Sequence, residues 1–154
     1  MKTFSYSFAA ALLCVTAFAH AHVSLEQTSA LAGGYQKLTF RVGHGCQGSA
    51  THTIAVSLPE GINSAKPMPK SGWTIAPTSA REVTWKGGPL PDGWFDEFSM
   101  LVKLPDTVGK YYFKVAQVCE AGRMDWAELP GVTAVTMPAP ALDVLPAAAA
   151  AKHH

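Results

Sequence analysis

Hydrophobic and polar residues alternate with a period of two along most of the chain after residue 21. Because successive side chains of a strand point to opposite faces of a sheet, this period predicts β-strands that are buried on one face. Turn-forming residues interrupt the pattern at short intervals. The predicted strands are 38–42, 54–58, 73–75, 83–85, 98–104, 111–119, 124–128, 132–136 and 141–145.

Two proline-containing segments limit where these strands can lie. The segment 66–70, Lys-Pro-Met-Pro-Lys, is excluded from a central strand because proline has no N–H to donate to a neighbouring strand. The segment 87–93, which contains Pro89 and Pro91, is predicted to form turns. Seven or more short strands in a domain of about 130 residues, with no sustained helical period, predict an all-β fold, an immunoglobulin-like antiparallel β-sandwich.

The composition agrees with one globular domain. Hydrophobic residues make up 48% of the chain and charged residues 15%, whereas disordered chains combine low hydrophobicity with high net charge. The formal net charge is only +1, so the chain has no basic excess of the kind that nucleic-acid-binding domains carry. The composition therefore excludes disordered and nucleic-acid-binding classes, without indicating a function.

The first 21 residues have the three parts of a secretory signal peptide. Lys2 is followed by the apolar run 8–18 and by Ala19-His20-Ala21, a small-x-small cleavage site. The apolar run is shorter than the roughly 20 residues of a bilayer span. We therefore expect a signal peptide over 1–21, a domain over 22–146, a flexible tail over 147–154, and a periplasmic or secreted product with no membrane span after cleavage.

Cysteine usage agrees with an oxidising compartment. Removal of the signal leaves Cys46 and Cys119 as the two cysteines of the domain. An even pair in an exported protein predicts a disulfide. The alternative, a thiolate metal site, is less suited to this spacing because zinc sites usually bring cysteines in close pairs.

Cleavage after Ala21 would make His22 the first residue of the mature protein. The α-amine and Nδ1 of one N-terminal histidine can bind the same metal ion in a six-membered chelate ring. Both groups titrate near neutral pH, so both can release a proton to a strongly bound metal. Paired nitrogen donors suit tetragonal Cu(II), which also heads the divalent affinity order. The pattern predicts a Cu(II) site at His22.

Several short motifs follow one another in a characteristic order through the predicted domain. They are His22–Gln27, His44–Gly48, Lys66–Trp73, Val83–Trp85, Gly88–Asp92, Phe95–Phe98 and Gln117–Trp126. Each motif alone is weak, but the ordered set covers nearly all of the domain. In this set the chain resembles the YcnI-like copper-binding family, whose members are exported β-sandwich domains.

The resemblance implies a histidine brace with a single histidine. Its donors would be the amine and imidazole of His22 and one carboxylate from a neighbouring strand, with Trp126 close to the copper. The carboxylate would come from Asp96 or Glu97. Because Phe98 is expected to face the core, period two places Asp96 on the buried side and Glu97 on the exposed side, which favours Asp96 slightly.

Other side chains are weaker candidates for a ligand. Glu26 shares a strand face with His22 if the first segment is extended, which makes it a third candidate carboxylate. Met68 could offer a thioether to Cu(I). His44 and His52 lack a recognisable brace context, and His153 and His154 end the tail, where any metal binding would be incidental.

These features predict a copper-binding protein that serves copper acquisition, delivery or homeostasis and is not an enzyme. The resemblance implies partners among copper-transport or copper-chaperone proteins. One alternative is a copper oxygenase of the polysaccharide-cleaving type, whose three-nitrogen brace needs a second histidine. The other alternative is a metal-free binding module.

Overall fold

The computed structural model describes residues 22–77, 79–131 and 134–147. The predicted signal peptide and residues 148–154 of the predicted tail lie outside the described residues. Within them there is no helix, and the chain forms strands joined by turns and loops. The strands are β1 Ser24–Leu25, β2 Ser29–Leu31, β3 Tyr35–Val42, β4 Thr51–Ser57, β5 Ala65–Pro67, β6 Trp73–Ile75, β7 Glu82–Leu90, β8 Asp96–Lys103, β9 Gly109–Tyr112, β10 Lys114–Cys119, β11 Arg123–Trp126 and β12 Ala141–Leu145.

The strands form two main sheets and a smaller third one. One main sheet has the order β1-β3-β8-β5 and the other β11-β10-β4-β7-β6, while the small sheet has the order β2-β12-β9. Neighbouring strands are antiparallel except β2 and β12, which run parallel. The all-β, mainly antiparallel prediction is therefore confirmed.

The core lies between the two main sheets and is built by the alternation that the sequence displays. Alternate side chains are buried over 38–42 of β3, 54–56 of β4 and 98–102 of β8, with Thr39 buried in addition. Aromatic rings join the layers: Trp85 of β7 packs against Phe98 of β8 with ring centroids 5.7 Å apart. The largest fully buried side chains include Trp85, Phe40, Phe98, Phe113, Leu38, Ile54, Ile62 and Met100.

The predicted strands 111–119 and 124–128 differ from the observed ones. The predicted strand 111–119 is two strands in different sheets, because β9 pairs with β12 and β10 pairs with β4. Phe113 lies at the break, where its N–H donates to the carbonyl of Pro140. The alternation of apolar residues continues across this break, so the period could not reveal it. The predicted strand 124–128 begins at Arg123 and ends at Trp126.

The prediction of turns over 87–93 was wrong in its first half, because β7 extends through this segment to Leu90. Gly87 allows β6 to approach closely: a Cβ at Gly87 would lie 2.3 Å from the carbonyl oxygen of Gly72. The absence of a side chain at Gly87 therefore allows β6 and β7 to pack closely. The exclusion of 66–70 from a central strand holds, since β5 is the edge of its sheet.

The last two predicted strands had different outcomes. The strand predicted at 141–145 coincides with β12. The strand predicted at 132–136 includes two residues, 132 and 133, that the structure does not describe, and the remaining positions 134–136 are not in a strand.

The predicted disulfide is confirmed. Cys46 and Cys119 are bonded, with their Cα atoms 5.9 Å apart, and both are buried. The bond ties the loop after β3 to the end of β10, on the opposite sheet. Among the described residues, no helix is long and apolar enough to cross a membrane.

Candidate metal site

His22 lies at the end of the sandwich where β1 begins. Leu25 and Ser24 pair with Phe40 and Arg41 of β3, and the chain reaches His22 two residues before β1. The His22 ring is half-buried against Trp126, with ring centroids 5.4 Å apart in an edge-to-face arrangement. His22, which leads into the first main sheet, therefore lies against Trp126 of the second.

The ring nitrogens of His22 have distinct roles. Nε2 lies 3.1 Å from the carbonyl oxygen of Thr136. A carbonyl oxygen can only accept, so Nε2 carries the hydrogen and Nδ1 is the basic nitrogen of this tautomer. Nδ1 is also the ring nitrogen that can form a six-membered chelate with the α-amine.

Trp126 ends β11 and is almost fully buried, with 3% of its surface exposed. Its Nε1 donates to Oε1 of Gln117 over 3.0 Å. Gln117 is itself buried, and its Nε2 donates both to the carbonyl of His44 (2.6 Å) and to the hydroxyl of Thr51 (2.8 Å). This network satisfies the buried amide and fixes the orientation of the indole.

His44, which was only a weak candidate from the sequence, lies at the site in the structure. Its ring lies 6.3 Å from the Trp126 ring, again edge-to-face. The disulfide is the reason: it holds the loop of His44 against β10, and Trp126 is on β11, the neighbour of β10. Cys46, two residues after His44 and predicted to form the disulfide, was therefore the sequence signal for its position.

The structure places Asp96 and Glu97 at the start of β8, which is separated from β1 by β3. Asp96 forms an ion pair with Lys70, with 2.5 Å between Oδ1 and Nζ, and also accepts from the N–H of Glu97. Glu97 forms an ion pair with Arg41 over 2.8 Å. The hydrogen bond and charge of Glu97 raise the pKa of Arg41.

The other weak candidates have ordinary surroundings. Glu26 is exposed and accepts a hydrogen bond from Gln27, 3.2 Å away. Met68 has 54% of its surface exposed. His52 lies on β4, where Nδ1 is 2.9 Å from the hydroxyl of Thr53. His153 and His154 lie outside the described residues.

Glu128 is a carboxylate near the site that the sequence reasoning missed. It accepts hydrogen bonds from the backbone N–H groups of Met137 (2.8 Å) and Thr136 (2.5 Å), and the carbonyl of Thr136 contacts His22. The bonds from Met137 and Thr136 lower the pKa of Glu128. The sequence signal that could have identified Glu128 was its position two residues after Trp126.

The two imidazoles that contact Trp126 offer nitrogen donors to a metal. Imidazole and carboxylate groups are ligands of Cu(II). Among the described residues there is no cluster of three or more His, Cys, Asp or Glu side chains that could hold a metal. A brace needs fewer side chains than such a cluster, because one N-terminal histidine supplies two of its donors.

Comparison with known proteins places the chain among related sequences. Residues 22–81 and 76–144 match the family described as "Domain of unknown function (DUF1775)". Copper-binding protein CutI of Bacillus subtilis is 28% identical over 101 residues, which are 62% of this chain and 49% of CutI. The chain therefore spans about half the length of this relative.

Solved structures support the fold assignment. A protein from Nocardia farcinica, described as having an immunoglobulin-like fold, is 28% identical with a TM-score of 0.68, over 80% of this chain and 98% of that one. A putative membrane anchored protein from Corynebacterium diphtheriae, 11% identical with a TM-score of 0.52, covers 81% of this chain and 34% of its own, and shares the fold alone. The immunoglobulin-like sandwich is confirmed, and the chain belongs to the DUF1775 family, to which its YcnI-like motifs had assigned it.

Proposed function

We infer that this protein is exported, is cleaved after Ala21, and then binds one Cu(II) ion through the α-amine and Nδ1 of His22. The observation that carries this proposal is the contact of Nε2 with the carbonyl of Thr136, because it leaves Nδ1 as the basic ring nitrogen. Metal-binding histidines commonly donate their other ring N–H to a carbonyl in this way. The 28% identity to a copper-binding protein of Bacillus subtilis is independent support.

A carboxylate completes the proposed brace, with Asp96 and Glu97 as the candidates carried forward from the sequence. Each is ion-paired with a cation and more than a quarter exposed, with side-chain exposures of 31% and 40%. Partly exposed ion pairs contribute little to stability, so either carboxylate can exchange its cation for a metal at small cost. Trp126 covers one side of His22 and limits access of water.

The site would serve copper acquisition, delivery or homeostasis without catalysis, alongside copper-transport or copper-chaperone proteins. Two nitrogens in one chelate ring favour Cu(II) over Zn(II), because the affinity order peaks at copper and Cu(II) prefers a tetragonal site.

The deciding experiment compares the protein that begins at His22 with one that keeps a methionine before it. An amide nitrogen binds metal poorly at neutral pH, so the blocked form should lose at least about tenfold in Cu(II) affinity, or about 1.4 kcal/mol. Competition titration against a chelator of known affinity measures the difference. Both forms should end at residue 147, which removes His153 and His154 from the measurement.

His22→Ala with a free N-terminus is the companion variant and should weaken binding comparably, because it deletes the imidazole of the chelate. Equal Cu(II) affinity for the free and blocked forms would rule out the brace. A metal-free binding module would then be the better-supported function.

A further inference from the structure

One peptide group connects Glu128 to His22. It is the planar unit that contains the carbonyl of Thr136 and the N–H of Met137. The N–H donates to Oε2 of Glu128 over 2.8 Å, and the carbonyl oxygen lies 3.1 Å from Nε2 of His22. Because the N–H and the C=O of a trans peptide point in opposite directions, the carboxylate lies on one side of this unit and the imidazole on the other.

The carboxylate of Glu128 is what holds Thr136 in particular. Backbone bonds already attach its neighbours to the end of β11, since Ala127 and Glu128 donate to the carbonyl of Met137 and Ala139 donates to that of Glu128. Thr136 is attached through its own N–H (2.5 Å) and its hydroxyl (3.3 Å), and both donate to the Glu128 carboxylate. Loss of the carboxylate would therefore loosen Thr136 while the backbone bonds keep Met137 and Ala139 in place.

The charge of Glu128 also acts on the carbonyl through this peptide. The bonds from Met137 and Thr136 lower the pKa of Glu128, so the carboxylate is ionised at neutral pH. Hydrogen bonds to an ionised group are stronger than neutral ones, and hydrogen bonds in a chain polarise one another. An ionised acceptor at the N–H end of the peptide thus makes the carbonyl of Thr136 a stronger acceptor for the Nε2–H of His22.

We propose that Glu128 is a positioning residue for copper binding, which acts on His22 through the peptide between Thr136 and Met137. The inference rests on the proposed copper site and identifies a residue that controls this site without binding the metal. A partner on the far ring N–H fixes the tautomer and orientation of a metal-binding histidine and raises the basicity of the nitrogen that binds. In this arrangement Nε2 of His22 keeps its contact with Thr136 while Nδ1 binds the metal.

The test uses the protein that begins at His22 and ends at residue 147, loaded with one equivalent of Cu(II). The variant is Glu128→Gln, which keeps the length of the side chain and removes its charge and one of its two acceptor oxygens. The matched control is Glu120→Gln, which makes the same change at an exposed carboxylate in the turn between β10 and β11. Near-ultraviolet circular dichroism and thermal unfolding verify that each variant folds.

Pulsed paramagnetic resonance measures the quadrupole coupling of the remote imidazole nitrogen, which depends on the hydrogen bond that its N–H donates. We expect this coupling to shift in Glu128→Gln and to stay unchanged in Glu120→Gln. The continuous-wave spectrum, which reports the donor atoms bound to copper, should be the same in all three proteins. A residue that only stabilised the fold would not move the remote-nitrogen coupling.

Competition titration should show a loss of Cu(II) affinity of about tenfold for Glu128→Gln, the lower end of the range for loss of a group that orients a metal ligand. Glu120→Gln should show no measurable loss. Glu128→Asp, which keeps the charge and withdraws it by one methylene, should shift the remote-nitrogen coupling in the same direction. This second variant carries the test if Glu128→Gln does not fold.

Three results overturn the inference and can be told apart. If the remote-nitrogen coupling is the same in the Glu128 variants as in the unmodified protein while the blocked N-terminus still loses copper, Glu128 does not act on His22 and the proposed brace stands. If Glu128→Gln changes the continuous-wave spectrum, Glu128 is itself a ligand. If the blocked N-terminus binds copper as well as the free one, the brace fails and the inference fails with it.

Discussion

The carboxylates of Asp96, Glu97 and Glu128 differ in what neutralises their charge. Asp96 and Glu97 each face a cation, Lys70 and Arg41 respectively. Glu128 instead accepts hydrogen bonds from the backbone N–H groups of Thr136 and Met137. A metal that takes Asp96 or Glu97 displaces a lysine or arginine side chain, whereas a metal that takes Glu128 must release part of the backbone that contacts His22. This difference favours a ligand from β8.

We therefore predict that Asp96→Asn or Glu97→Gln weakens Cu(II) binding, and that the larger of the two losses is smaller than that of His22→Ala. The reason is that loss of the carboxylate removes a single donor, whereas loss of the imidazole also opens the chelate ring in which it holds the metal together with the α-amine. Competition titration of the three variants ranks the losses. Glu128→Gln is the comparison variant, and a loss confined to it would move the ligand from β8 to the end of β11.

At the scale of elements, Glu128 joins two segments of the site. It follows β11, accepts from the backbone of residues 136 and 137, and so holds the carbonyl of Thr136 beside His22. Backbone bonds between Ala139 and Glu128, and between Ala127 and Met137, extend the same contact. The segment before β12 is thereby attached to the end of β11 without being a strand.

This attachment should depend on pH. Because bonds from Met137 and Thr136 lower the pKa of Glu128 below its ordinary value of 4.5, the contribution of Glu128 to stability is complete above pH 4.5. It is lost as the pH falls through the lower value in the folded protein. Thermal unfolding followed from pH 7 to pH 3 should show a smaller acid-dependent fall in Tm for Glu128→Gln than for the unmodified protein.

Glu60→Gln is the control for that series, since Glu60 is an exposed carboxylate in the turn after β4. Its pH profile should follow that of the unmodified protein. Identical profiles for Glu128→Gln and the unmodified protein would show that the backbone bonds to Glu128 do not contribute to stability.

At the scale of the whole molecule, the disulfide connects the two main sheets next to the candidate site. Cys46 and Cys119 are 73 residues apart in the sequence, and both are buried. A bond that closes a loop of this length restricts the unfolded chain, with a stabilisation of about 4 kcal/mol in the chain-entropy model. It also fixes the loop of His44 relative to Trp126.

The double variant Cys46→Ala, Cys119→Ala should lower the free energy of unfolding by about 4 kcal/mol, because it removes this cross-link. Urea denaturation of both proteins measures the difference. Labelling of the unfolded, unreduced protein should find no free thiol among these two cysteines. Two labelled cysteines, or an unchanged denaturation midpoint, would contradict the prediction.

The sequence by itself determined the class of fold and the cysteine pairing. A period of two is a local property of a strand with one buried face, so the core positions of β3, β4 and β8 could be read directly from it. The disulfide followed from the presence of only two cysteines in the predicted domain. His22 and Trp126 entered through motifs, and their roles in binding copper stay predictions.

Only the tertiary structure decided which residues meet around His22 and Trp126. His22, His44 and Thr136 come from segments far apart in the sequence, and they meet because β1, the disulfide and the end of β11 lie at one end of the sandwich. The change of sheet at Phe113 was equally hidden, since a strand keeps its alternation whichever sheet it joins. Local patterns specify the face that a residue occupies, whereas contacts across the sandwich depend on how distant strands pair and pack.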